Sequence, residues 1–113
     1  PTIYELLAGN CDAKAAVKKS SIANLDAISA SIDLSGAAIE LVDQENWEYY
    51  LKNALEPLKA QYDYILIDCP PSLGILTLNG LAAADSVLVP MQCEYFALEG
   101  ITLLLQTVQK VLG

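Results

Sequence analysis

The chain has no histidine and no arginine, and only three cysteines in 113 residues. Cys11, Cys69 and Cys93 lie far apart with no CxxC spacing, so without histidine there is no ligand set for a zinc site. They are read as reduced, mostly buried thiols without assigned chemistry. Six lysines stand against fourteen acids, for a net charge of −8, and only Lys18 and Lys19 are adjacent. Such a surface carries no electrostatic footprint for nucleic acid. No apolar run approaches the roughly 20 residues a bilayer span needs, and the start has no signal-peptide layout. The expectation is a cytoplasmic protein without membrane contact. Pro1 opens straight into "PTIYELLAG", with no Met and no lead-in strand, so the chain is also expected to be a piece of a longer protein.

What is present is a globular composition: 54% hydrophobic residues, six Gly and five Pro, enough for one domain with a core. Ile3, Leu6 and Leu7 at helical spacing with Gly9 as a stop predict a short helix, and "DAKAAVKK" a second. "IANLDAIS" predicts a strand through Leu25, Ala27 and Ile28, with a loop over 31–35. Ser35 is a good N-cap for a long amphipathic helix whose stripe runs Trp47, Tyr50, Leu51, Ala54, Leu55, Leu58. Pro57 should kink or end it. A strand over 64–67, a helix over "GILTLNGLAAAD", a strand "SVLVP" and a final amphipathic helix with Ile101, Leu104, Leu105, Val108, Val111 and Leu112 on one stripe complete the series. Strand and helix alternate, which predicts an α/β fold, a parallel sheet with helices on both faces.

The stretch "YDYILIDCPPSLG", 62–74, holds the chemistry. Strands buried on both faces read as continuous apolar runs, and ligands in open parallel sheets gather beyond the strands' carboxyl ends. Asp68 falls at that edge. A carboxylate there can hold Mg²⁺, directly or through water, while a phosphate supplies other oxygens. An Asp that caps the next turn has the same local signature. Pro70 and Pro71 fix φ and lack amide hydrogens, so the chain leaving Asp68 is stiff until Ser72 and Gly74 release it into a helix. A stiff segment beside a phosphate site can report the γ-phosphate, as switch loops do. A rigid strand-to-helix turn would read identically.

From "YDYILIDCPPSLG" through "VPMQCEYFALEG" to "VLG", the chain closely resembles the ParA/Soj plasmid- and chromosome-partitioning ATPases, relatives of MinD in the deviant-Walker P-loop group. The likeness extends upstream through "SSIANLDAISASIDLSGAAIELVDQENWEYYLKNALEPLKAQ" and covers nearly all of 1–113, which would be the central part of a single ATPase domain with a partial P-loop NTPase fold. The resemblance implies that Asp68 is the Walker B acid near Mg²⁺ and that Cys69, Pro70 and Pro71 belong to the switch that follows. It also implies slow ATP hydrolysis with ATP and Mg as cofactors, an ATP-state homodimer, nonspecific DNA binding, a ParB-type partner and a nucleoid-associated location for the whole protein.

The departures bear on the chain itself. No Gly is followed by Lys, so the phosphate loop whose amides and lysines bind the nucleotide is absent here. The later segments that hold adenine and the basic C-terminal surface are missing too. The chain alone is therefore expected to bind no ATP, to be inactive and, with an unpaired sheet edge, to self-associate. Trp47 and Tyr50 are read as core, where related sequences often carry arginines. Glu94 and Glu99 are read as first-turn acids complementing a helix dipole, and Gly100, inside the last helix, as a site of close packing. The alternative function is a stand-alone binding or scaffold module from the same fold. A MinD-like membrane cycler would need an amphipathic anchor and a metal-cluster carrier paired cysteines; this window shows neither.

Overall fold

Thr2 opens the first helix with a capping box. Its hydroxyl accepts from the Tyr4 amide at 3.2 Å, while the Glu5 carboxylate accepts from the Thr2 amide at 2.6 Å and from the Thr2 hydroxyl. Two otherwise orphaned donors are satisfied within one turn. The computed structural model describes residues 1–70, 72–90 and 95–112 of the chain. Helix α1 spans Ile3–Leu7 and stops at Gly9, whose φ of +78° is the left-handed conformation glycine adopts without strain. Helix α2, Ala13–Ala16, is capped by Asp12, which accepts from the Ala15 amide at 2.9 Å.

Strand β1, Lys18–Lys19, pairs antiparallel with β2, Asp26–Ala27. The β2 position matches the expected strand; its β1 partner does not follow from the apolar pattern, because two exposed lysines carry no apolar alternation. Tyr62 ties this hairpin to the chain entering the 64–67 segment by donating to the Asp26 carboxylate at 2.6 Å. That bond holds the phenol proton and raises the Tyr62 pKa.

The single long helix expected after Ser35 is four pieces. Helix α3 is Leu34–Leu41, with Ser35 already inside it and Asp33 at the cap position making no side-chain cap bond. A 3-10 turn Trp47–Tyr49 then leads into α4, Tyr50–Leu55, and a second 3-10 turn, Glu56–Leu58, contains Pro57 and ends the run. The break falls where "DQEN", 43–46, offers no apolar side chain to bury, and Asn46 takes a left-handed φ of +57°. Helix α5 is Ile75–Ala83 and α6 is Tyr95–Leu112. Both match expectation.

Leu6, Leu7, Ala13, Leu41, Leu51, Leu55 and Leu58 form the buried core, with Trp47, Tyr50 and Ile67 packed partly buried against it. Trp47 and Tyr50 are thus core-facing, as their spacing predicts. Each fully buried leucine contributes on the order of 1.5–3 kcal/mol. The helical stripe of 47–58 supplies Leu51, Leu55 and Leu58, half of the core leucines.

The parallel sheet does not form among the described residues, whose only sheet is the two-stranded β1–β2 hairpin. Neither 64–67 nor 86–89 has regular backbone pairing. A strand needs a neighbour for its row of amides and carbonyls, and neither segment meets one here. The side chains still alternate: Tyr64 and Leu66 are 87% and 89% exposed, while Ile65 is 39% exposed and Ile67 turns to the core. Leu88 is likewise 88% exposed. A radius of gyration of 14.8 Å exceeds the value of about 13 Å usual for a 100-residue domain, as this openness requires.

Candidate functional site

Ile67 anchors one end of the site by packing on the core, and the next residue, Asp68, emerges exposed. Its carboxylate makes no hydrogen bond or ion pair among the described residues, so it is free to meet a cation. Cys69 and Pro70 are also exposed, and Pro71 lies outside the described residues. Although Cys69 is exposed overall, contrary to the expectation of a buried thiol, its sulfur is not free. A Cβ at Gly80 would sit 2.8 Å from Cys69 Sγ and 3.5 Å from Ile67 Cγ2. The thiol contacts the Ile67 carbonyl at 3.8 Å as donor. Burial of that sulfur, and then the charge of Asp68, push the Cys69 pKa up.

Helix α5 holds this segment from behind. The Thr77 hydroxyl donates to the Ser72 carbonyl at 2.6 Å and lies 3.4 Å from that of Pro70. Gly80 allows the backbone of α5 to lie against Cys69. On a separate face Asn79, 1% exposed, accepts from the Leu51 amide at 3.1 Å and donates to the Ile75 carbonyl at 3.3 Å. Sequence reasoning passed over Thr77, Asn79 and Gly80. The available signal was the run "TLNG" inside an otherwise apolar helix, since buried polar side chains require partners. Close packing expected at Gly100 occurs at Gly80 instead: Gly100 is exposed and a Cβ there would meet nothing within 4 Å.

Glu94 and Cys93 lie outside the described residues, as does the side chain of Glu99. Among the described residues no group of three His, Cys, Asp or Glu side chains could hold a metal. No helix among them is long and apolar enough to cross a membrane. A cleft of about 230 Å³ lies away from Asp68, lined by Leu7, Ala8, Ala37, Glu40, Leu41, Gln44 and Tyr50. Asp68 is thus a single exposed carboxylate, a group that could complete a Mg²⁺ ligand set whose other members come from elsewhere.

A family model described as an AAA domain matches residues 1–112. The chromosome-partitioning ATPase Soj of Treponema pallidum is 63% identical over 110 residues, covering 97% of this chain and 44% of that protein. The chain belongs to the AAA-domain family, in its ParA/Soj branch. Among solved structures, cobyrinic acid a,c-diamide synthase from Mycobacterium smegmatis with bound ATP analog and magnesium superposes with a TM-score of 0.91 at 42% identity, covering 98% of this chain and 45% of that one. A plasmid partition protein from Borrelia burgdorferi gives a TM-score of 0.89 at 34% identity, covering 97% and 47%. Synthase and partition protein share this part of a P-loop NTPase fold, so the fold alone does not select the reaction. The chain spans less than half the length of these relatives.

Proposed function

We propose that this chain is the central part of an ATP-dependent DNA-partitioning ATPase, with Asp68 as its magnesium-associated acid and 69–71 as the switch that follows. The observation that carries the reading is the placement of Asp68: an exposed, unpaired carboxylate directly after the core-anchored Ile67. The 63% identity to a Soj ATPase supports partitioning over the other activities of the fold. In the full-length protein Asp68 would hold Mg²⁺ through water, and a phosphate loop outside this chain would bind ATP. The 64–67 and 86–89 segments would then join a parallel sheet with helices on both faces. A homodimer in the ATP state, a ParB-type partner and nonspecific DNA complete the proposal. With a net charge of −8 on this part, the DNA contacts fall to the remainder of the protein.

In the full-length protein, Asp68→Ala is expected to leave the fold intact and lower ATP turnover by at least about tenfold, because an electrostatic contribution aimed at the reacting phosphate is lost. Wild-type turnover with unchanged magnesium dependence overturns the assignment. Calorimetric titration of the isolated 113-residue chain with Mg-ATP is expected to show no binding, since one carboxylate does not replace a cradle of amides. Micromolar binding would place the nucleotide site within this chain.

A further inference from the structure

Thr77 and Asn79 are both buried, at 4% and 1% exposure, in a helix otherwise built of apolar and small residues. Buried threonine in a helix ordinarily returns its hydroxyl to a carbonyl three or four residues back. Thr77 reaches further, to Ser72, which precedes the Gly74 cap position and so lies outside the helix. The acceptor belongs to the segment that leaves Asp68. At about 100° per residue, Gly80 lies roughly 60° around the helix from Thr77, and Asn79 about 160° in the same sense, about 100° beyond Gly80. One face of α5 therefore touches the chain at Cys69 and Ser72, while a separate face is fixed to the first turn of α4 through the Leu51 amide.

We propose that Thr77 is a positioning residue for ATP hydrolysis: its hydroxyl bond to the Ser72 carbonyl, on a helix pinned to α4 by Asn79, sets where the segment after Asp68 stands. This rests on the reading of Asp68 as the acid of the nucleotide site. The bond fixes Ser72, four residues from the carboxylate, without touching nucleotide, so its loss acts on turnover more than on affinity for the ground state. A packing role alone would weaken folding and leave no difference between side chains that keep the hydroxyl and side chains that lose it.

The test uses the full-length protein and three variants: Thr77→Val, Thr77→Ser and Asp68→Asn. Thr77→Val keeps the branched shape and removes the donor; its kcat is expected to fall about tenfold with KM for Mg-ATP within about twofold of wild type, the scale of one lost hydrogen bond. Thr77→Ser is expected to restore kcat to within about twofold. Wild-type kcat in Thr77→Val overturns the proposal, as does an equal loss in Thr77→Ser or a rise in KM at unchanged kcat. Should Thr77→Val fail to fold, Thr77→Ala, which also lacks the donor, takes its place under the same criteria. Asp68→Asn separates the two levels: full turnover there removes the underlying site, whereas its loss beside an unaffected Thr77→Val removes only the role of Thr77.

Discussion

The side-chain oxygen of Asn79 accepts a hydrogen bond from the Leu51 amide at 3.1 Å, joining the buried middle of α5 to the first turn of α4. First-turn amides have no partner inside their own helix, and α4 has no side-chain cap of its own. Asn79 therefore acts as a cap supplied from another helix. Asn79→Leu is expected to destabilise the fold by about 1–3 kcal/mol, the cost of stranding a buried donor. Urea unfolding of the full-length protein and the variant measures it; an unchanged midpoint would show that the Leu51 amide finds another acceptor.

Helix α5 approaches Cys69 closely at Gly80, where the absent side chain leaves room for the Cys69 sulfur in its present rotamer. A methyl group there would meet Cys69 Sγ at 2.8 Å, closer than packed atoms tolerate. Alanine favours a helix over glycine by about 1 kcal/mol, so a purely local effect would stabilise. Gly80→Ala is instead expected to destabilise, by about 1–3 kcal/mol as for other overpacked sites. Adding Cys69→Ala should recover much of the loss. Thermal melts of the single and double variants decide, and a Gly80→Ala melting temperature above wild type would show that the sulfur moves aside at no cost.

Glu5 makes the fold acid-sensitive at a known place. Its hydrogen bonds, first from the Thr2 hydroxyl and then from the Thr2 amide, hold its pKa near 2 instead of the ordinary 4.5. A carboxyl with a lowered folded-state pKa contributes stability above its unfolded value, and the contribution disappears as pH falls through the folded value. The difference in melting temperature between wild type and Glu5→Gln should be constant above about pH 5 and shrink between about 4.5 and 2. A difference independent of pH across that window would dissociate the charge from the cap.

The alternating exposure of Tyr64, Leu66 and Leu88 leaves large apolar side chains in water on segments with no backbone pairing. Exposed apolar stretches with unpaired amides are templates for association. The isolated chain is expected to self-associate with rising concentration, and Leu66→Lys to reduce it. Sedimentation equilibrium provides the check. A strictly monomeric wild-type chain with a sharp, high-temperature unfolding transition would mean that these segments are satisfied within it.

Helices α1 and α4 were legible in the sequence because they bury stripes of their own: Ile3, Leu6 and Leu7 in α1, and Leu51, Leu55 and Leu58 beyond Trp47, signal their period directly. The 43–46 break was missed because the apolar stripe was followed only from Trp47 onward, and the polar residues before it include no Gly or Pro to mark a stop. The parallel sheet could not be read to completion from 64–67, since an apolar run states a strand's burial but not its neighbour. Asp68 was legible as an acid after such a run. Thr77, Asn79 and Gly80 were not, because their importance lies in what they touch across the chain, and residues 72, 51 and 69 are not neighbours of theirs in any helical period.

Cys69 has one more consequence. Its sulfur is lodged against Gly80, one residue beyond Asp68, and its thiol pKa is raised, so in this arrangement it is a poor nucleophile toward alkylating reagents. Any event that lifts the Asp68 segment off α5 frees that sulfur and makes it reactive. The protein thereby carries its own gauge: the alkylation rate at Cys69, followed apart from Cys11 and Cys93, reads out the gap between the helix and the acid with no reporter residue introduced.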